Sequence, residues 1–101
     1  MHTNVTETEI KKLIMEYMNA AGYTVWVTNA GYARRNIKLA PPGTPDIIGY
    51  SPKGRFVGIE VKKPGCRPTE IQEKWHEAAR SAGCEIHVAT SVEDICGIIE
   101  S

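Results

Sequence analysis

Three charged residues in the middle of the chain have the types and spacing that phosphate chemistry needs. Asp46 opens one predicted strand, and Glu60 and Lys62 lie two residues apart on the next one. Because side chains alternate between the faces of a strand, Glu60 and Lys62 share a face, with their Cα atoms about 7 Å apart. The residues between and before them, Val57, Ile59 and Val61, make an apolar face on the other side. Glu60 and Lys62 can therefore aim at one point.

Asp46 comes near Glu60 if their two strands pair as a hairpin. A short turn with Pro second and Gly fourth, Ser51–Gly54, joins the strands. One register places Asp46 opposite Ile59, where its carboxylate would face the core and resist burial. A shift of one residue, by a bulge or a slightly longer loop, places it opposite Glu60 on the other face. The sequence leaves the register open, but the two carboxylates are near neighbours in both.

Two carboxylates this close repel each other unless a cation lies between them. A hard divalent ion such as Mg²⁺ prefers oxygen ligands of this kind, and it can polarise a phosphate and help to ionise an attacking water. Lys62 would then orient that water or offset the charge of the transition state. On residue types alone, a surface hairpin with a solvated Asp, Glu and Lys explains the pattern about as well.

The elements that must position these residues are predicted in the order α-β-β-β-α-β, followed by a short last helix. Capping boxes at Thr6 and Thr69 begin two helices with apolar residues at helical spacing. The second helix is predicted to bury the stripe Ile71, Trp75, Ala78, Ala79 and Ala82. The predicted bounds are helix 7–21, strand 23–28, strand 45–50, strand 55–62, a helix from 69 to 83, strand 85–89 and a last helix after 91.

The distribution of charge along the chain changes the conclusion that its net charge suggests about a nucleic-acid partner. Its 12 basic and 12 acidic residues sum to zero, which by itself argues against a nucleic-acid partner. Residues 31–68, however, carry 8 basic and 2 acidic side chains, and the two acids are Asp46 and Glu60. Residues 69–101 carry 2 basic and 7 acidic side chains. Any basic surface is therefore built from the middle of the chain, around the two carboxylates.

Length and composition describe an ordinary globular protein. The 101 residues, with 42% hydrophobic and 24% charged, predict one domain over 1–101. No apolar run approaches the ~20 residues of a membrane span, and the first residues lack the layout of a signal peptide. The three cysteines are an odd number without metal-knuckle spacing, and we expect free thiols that contribute mostly to packing.

The ordered set of motifs resembles the VRR-NUC family of the PD-(D/E)XK nuclease superfamily. The matching motifs are Gly43–Asp46, Glu60–Lys62 and the helix-opening Thr69-x-x-Gln72, and the resemblance runs from about Thr6 to Ile99. It implies an α/β fold with a restriction-endonuclease-like core, a mixed sheet flanked by helices. The single-domain form is similar to stand-alone members in phages and bacteria, which implies a cytoplasmic location in a bacterial or phage-infected cell.

The resemblance also implies roles for individual residues. Asp46 and Glu60 would bind Mg²⁺, with Mn²⁺ as a substitute, and the carbonyl of Val61 would be a further ligand. Lys62 would be the catalytic lysine. Glu7 matches a glutamate near the start of the family's first helix and would also bind the metal, although a first-turn acid also stabilises the helix dipole.

Three further sets of residues have both a functional and a structural interpretation. Gln72 matches a glutamine of the family's active site, but the capping box explains a glutamine here as well. Phosphate contacts are predicted for Arg34, Arg35, Lys38, Lys63 and Arg67, although charged runs are often simply solvated. Trp26 and Trp75 lie on apolar patterns and are predicted to be core residues instead of platforms for bases.

Together these observations predict a Mg²⁺-dependent deoxyribonuclease. By its resemblance we expect an endonuclease for branched DNA, similar to Holliday-junction resolvases of DNA repair. We expect a homodimer, because one site per monomer cannot cut two strands. The alternatives are a nuclease selective for flaps or single strands, a non-catalytic DNA-binding module, and an interaction domain whose acidic C-terminal third binds a partner.

Overall fold

A computed structural model describes residues 6–28 and 41–97 of the chain. The order of its elements is the predicted one. They are α1 (Glu7–Ala20), β1 (Thr24–Val27), β2 (Ile47–Tyr50), β3 (Phe56–Val61), α2 (Glu70–Ser81), β4 (Glu85–Ala89) and α3 (Glu93–Cys96).

The four strands form one mixed sheet in the order β1-β2-β3-β4. β1, β2 and β3 are antiparallel neighbours, and β4 runs parallel to β3. α1 packs against β1 and β3, and α2 packs against β4. The predicted α/β fold, a mixed sheet flanked by helices, is confirmed.

The hydrophobic core lies between α1 and one face of the sheet. On β3, Val57, Ile59 and Val61 all point into it, as their alternation predicted. The buried residues of this cluster are Ile10, Ile14, Met18, Tyr23, Val25, Ile47, Val57, Ile59, Val61, Ala89 and Ile95. Glu60 is therefore directed to the opposite face, beneath α2.

Both predicted capping boxes are present at the helix starts. The Thr6 hydroxyl accepts from the backbone N–H of Glu9 at 3.1 Å, and the Glu9 carboxylate accepts from the Thr6 N–H at 2.9 Å. Thr69 and Gln72 exchange the same pair of bonds at 3.2 and 2.8 Å. These bonds fix where each helix begins, since they satisfy N–H groups that have no partner within the helix.

The sequence left two registers open for the β2–β3 hairpin, and the structure has the shifted one, in which Asp46 is level with Glu60. Ile47 pairs with Ile59, and Ser51 donates its N–H to the Arg55 carbonyl at 2.8 Å. The loop thus has three residues and ends at Gly54, whose φ of +83° is the left-handed conformation that such loops need. Asp46, just before β2, is level with Glu60 on the same face.

The predicted apolar stripe of α2 is wrong for three of its five residues, while Trp75 and Ala79 are half-buried. Ile71 is 58% exposed, and Ala78 and Ala82 are also exposed, whereas His76 is buried. The reason lies in the sheet beneath, because the surface under α2 includes the Glu60 carboxylate. The helix therefore turns its hydrogen-bonding residues inward.

The prediction that both tryptophans are core residues is wrong for Trp26, which is 48% exposed on β1. Trp75 is half-buried, with its ring centroid 6.5 Å from that of Phe56.

All three cysteines are free as predicted, but Cys66 and Cys96 are exposed and contribute little packing. No helix in the described residues is long and apolar enough to cross a membrane.

A buried polar cluster lies on the α1 face, away from Glu60. The Tyr23 hydroxyl donates to both carboxylate oxygens of Glu85, at 3.0 and 3.1 Å, and Nε2 of His87 lies 2.7 Å from the same carboxylate. Since its carboxylate is hydrogen-bonded on both oxygens, Glu85 can be buried at this end of β4.

Close approach of β1 to β2 requires glycine at position 49. A Cβ there would overlap the Thr24 carbonyl oxygen and lie 2.7 Å from the Cα of Val25. We expect Gly49→Ala to lower the free energy of unfolding by about 2 kcal/mol or more, because the strand backbone must move. Gly97→Ala, with nothing within 4 Å of the added Cβ, is the matched control. Urea unfolding followed by circular dichroism measures both, and equal stability of the two variants would contradict this packing.

Candidate active site

Asp46 is held against β3 by a backbone hydrogen bond. Its Oδ2 accepts from the N–H of Val61 at 2.8 Å. Its own carbonyl accepts from the N–H of Thr28 at 2.9 Å, so the β1–β2 ladder extends to this residue. The carboxylate is therefore fixed on two sides, beyond the last hydrogen-bonded pair of β2 and β3.

Glu60 is buried beside Asp46, with only 1% of its surface exposed. Burial, followed by the hydrogen bond and the charge of Asp46, raises the pKa of Glu60 from 4.5 to about 9, and the Lys62 charge opposes this shift. A second negative charge is thus disfavoured here unless a cation is present. This pair of carboxylates has the donor chemistry of a site for a hard divalent ion.

The backbone of Val61 supports the same interpretation. Its N–H points toward Asp46, and the N–H and C=O of one residue in a strand point to the same side. β2 begins at Ile47, which pairs with Ile59, so the Val61 carbonyl lies beyond the last paired residues of these two strands. The carbonyl therefore points to the β2 side of the strand, the side to which the Val61 N–H also points.

Lys62 continues the ladder between β3 and β4. Its N–H donates to the Ala89 carbonyl at 2.9 Å, which fixes its backbone independently of its side chain. Lys62 is half-buried, its charge acts on Glu60 electrostatically, and its side chain shares a face of the strand with that residue. Lys62 therefore lies where a cation can influence a reaction at the carboxylates.

Glu7 lies in the first turn of α1, half-buried, and its charge contributes to the raised pKa of Glu60. Its charge is therefore close enough to Glu60 to act on it. Within residues 6–28 and 41–97, however, no group of three His, Cys, Asp or Glu side chains is close enough to hold a metal ion. The described structure brings together two of the predicted carboxylates, with Glu7 nearby.

Gln72 makes the predicted capping bonds and also contacts Glu60. Its Oε1 accepts from the Thr69 N–H as part of the capping box, and its Nε2 donates to Oε2 of Glu60 at 3.3 Å. The start of α2 and the Glu60 carboxylate are thus joined through one amide.

His76 is the residue of this site that sequence reasoning missed. It is 2% exposed, and its Nε2 lies 3.3 Å from Oε1 of Glu60. Burial, and then the charge of Arg80, lower the pKa of His76, which favours the neutral ring. The available signal was its spacing, since a residue four positions after Gln72 lies on the same face of a helix. Gln72 and His76 together bond both oxygens of Glu60.

The predicted phosphate-binding residues divide into two groups. Lys63 and Arg67 are exposed in the segment between β3 and α2, next to the strand end that carries Lys62. Their role in DNA binding stays a prediction. Arg34, Arg35 and Lys38 lie outside the described residues.

Fold and site together are those of an α/β nuclease-type domain with a carboxylate pair and a lysine. The model of the VRR-NUC domain family matches residues 5–93, so the chain belongs to this nuclease family. A solved structure titled "VRR_NUC domain" is 24% identical over 89% of this chain and 89% of its own, with a TM-score of 0.68. Another, titled "VRR_NUC domain protein", is 19% identical over 96% of this chain and 87% of its own, with a TM-score of 0.66. Both share the fold, and no protein with a curated description matches the sequence.

Proposed function

We propose that this protein is a metal-dependent DNA endonuclease that hydrolyses phosphodiester bonds. The observation that carries the proposal is the pairing of Asp46 with buried Glu60 across β2 and β3, with Lys62 on the same face as Glu60. Membership of a nuclease family supports this chemistry over a non-catalytic role.

The carboxylate pair fits Mg²⁺, with Mn²⁺ as a substitute. Asp46 and Glu60 would hold the ion, together with the Val61 carbonyl, and Glu7 is the further predicted ligand. When bound, the ion supplies a polarised phosphate and a more acidic water. Lys62 orients the attacking water and offsets the negative charge that develops on the phosphate oxygens.

Gln72 and His76 act on the orientation of Glu60. One bonds Oε2 and the other Oε1, so the carboxylate is fixed before substrate arrives. Partners of this kind typically increase metal affinity because the ligand does not need to be ordered on binding.

We further propose that the enzyme acts on branched DNA as a homodimer. Each chain supplies one carboxylate pair, so cutting two strands at a junction needs two copies. Lys63 and Arg67, beside Lys62, would contact phosphates near the cut, and the same role is proposed for Arg34, Arg35 and Lys38.

The test is cleavage of labelled DNA in Mg²⁺ and in EDTA. Four-way junctions, flaps, blunt duplexes and single strands are compared, and light scattering gives the mass of the active species. We expect metal-dependent products from branched DNA and none from the Asp46→Asn variant. Salt-sensitive binding without hydrolysis in any divalent metal would show a DNA-binding module instead of an enzyme.

His76→Leu should weaken Mg²⁺ binding by about 10- to 100-fold, the usual effect of losing a residue that orients a metal ligand. His76→Gln, which can still bond Oε1 of Glu60, should recover part of the affinity. Titration calorimetry on the protein without DNA measures this directly. Glu77→Ala, an exposed change on the same helix, is the control. Wild-type affinity in His76→Leu would show that His76 only fills space.

A further inference from the structure

Three aromatic side chains form an exposed surface on the sheet face that α2 covers only in part. Trp26 is 48% exposed, Tyr50 50% and Phe56 38%, and we call these three residues the aromatic face. In the described residues α2 packs over the β4 side of the sheet, and its Trp75 lies beside Phe56, with ring centroids 6.5 Å apart. Exposed clusters of large apolar side chains mark interaction sites.

The aromatic face is continuous with the candidate active site. On β2, Tyr50 lies four residues after Asp46, so both side chains are on one face of the sheet. Trp26 pairs with Ile48, between them, and Tyr50 pairs with Phe56. Along the strand, the level of Trp26 is about 7 Å from that of Asp46. A chain bound at the carboxylates can pass directly onto Trp26.

The charge of the segment that carries Tyr50, Phe56 and the carboxylate pair favours a polyanion over a second copy of the protein. Residues 41–68 carry five cations and two carboxylates, a net charge of +3. The cations are Lys53, Arg55, Lys62, Lys63 and Arg67. A twofold dimer formed through this face would bring these like charges together, whereas phosphates would neutralise them. Aromatic rings also stack on bases of any sequence.

We propose that the aromatic face binds unpaired DNA bases by stacking, so that the substrate carries a single-stranded segment beside the scissile phosphate. This inference rests on the proposed nuclease function and specifies its substrate. Bases inside a duplex stack on one another and leave no free π-face for Trp26 or Tyr50. An unpaired segment at a flap or branch point has bases with free π-faces. Such a segment gains the stacking energy in addition to the phosphate contacts.

The test compares binding of a fluorescein-labelled 15-nucleotide oligo(dT) and a blunt duplex of equal length, by anisotropy in EDTA at fixed salt. Trp26→Ala should weaken oligo(dT) binding at least about fivefold, the lower end of one lost base stack, and change duplex binding less than twofold. Tyr50→Ala provides a second variant, and thermal melting establishes that each is folded. Leu13→Ala, equally exposed at 47% but on α1, should leave both affinities unchanged.

Three outcomes would overturn the inference. These are an unchanged oligo(dT) affinity in folded Trp26→Ala, an equal loss for oligo(dT) and duplex, or a dimer that Trp26→Ala dissociates without loss of oligo(dT) affinity. The last would assign the face to a second copy. The proposed hydrolysis can be disproved independently of this inference. Absence of cleavage in any divalent metal, with Trp26-dependent oligo(dT) binding intact, would exclude the nuclease activity and retain base stacking on the aromatic face.

Discussion

Glu60→Gln should reduce Mg²⁺-dependent DNA hydrolysis by about a thousandfold or more, since a metal ligand contributes several kcal/mol to the transition state. The metal-free variant should melt at the same temperature as the wild type or higher. Gln has the shape of the protonated Glu60 that the raised pKa favours in the metal-free protein, and it can still bond Gln72 and His76 in this buried site. Loss of function would thus occur without loss of fold.

The measurement for Glu60→Gln is thermal melting in EDTA and in Mg²⁺, together with a cleavage assay. Mg²⁺ should raise the melting temperature of the wild type, because a ligand that binds only the folded state stabilises it, and should not raise that of the variant. Glu85→Gln is a matched control: this carboxylate is also buried but bonds Tyr23 and His87. It should lose stability and retain cleavage. A variant at Glu60 that keeps the Mg²⁺ stabilisation would remove Glu60 from the metal site.

Lys62→Ala should lower the rate of hydrolysis by about 100-fold or more, which is the usual effect of removing one group that stabilises the transition state. Mg²⁺ affinity should not fall, because Lys62 is not a ligand and its charge competes with a cation near Glu60. The backbone bond from its N–H to Ala89 persists in the variant, so the strand stays in place. The effect is therefore expected in kcat and not in metal binding.

Single-turnover cleavage and calorimetric Mg²⁺ titration together separate these two quantities for Lys62→Ala. Lys74→Ala removes the same charge from an exposed position of α2 and should change neither. Undiminished cleavage by Lys62→Ala would exclude the proposed mechanism, whereas a parallel loss of metal affinity would show that the lysine acts by organising the carboxylates.

The elements of this fold could be predicted because each depends on local chemistry. The capping boxes at Thr6 and Thr69 concern hydrogen bonds within four residues, and the structure contains both. The alternation of Val57, Ile59 and Val61 assigns the core face of β3 by the period of a strand alone. Glu60 was therefore placed on the correct face without knowledge of its neighbours.

The register of the hairpin could not be predicted from the sequence, because a one-residue change in loop length decides it. A three-residue loop ending at Gly54 and a two-residue turn fit the same letters, yet they direct Asp46 to opposite faces. The pairing of Ser51 with Arg55 settles the question. Only with this pairing do Asp46 and Glu60 meet.

The environment of α2 could not be read from its apolar pattern either. The hydrophobic residues predicted an inward stripe through Ile71, but a helix buries the face that complements the surface beneath it. That surface contains Glu60, so Gln72 and His76 face inward and Ile71 is exposed. Likewise, Trp26 has the pattern of a buried strand residue and is exposed because, in the described residues, α2 packs over the β4 edge of that sheet face and not over β1.

The sequence by itself determined the element order, the family, and the residues that carry the proposed chemistry, among them Asp46, Glu60 and Lys62. Tertiary structure alone decided that the two carboxylates are paired, that His76 completes the bonding of Glu60, and that aromatic side chains extend from the site. The physical reason is the distance along the chain over which each interaction acts. Capping and alternation act over a few residues, whereas register, burial and exposure depend on which surfaces distant segments present to each other.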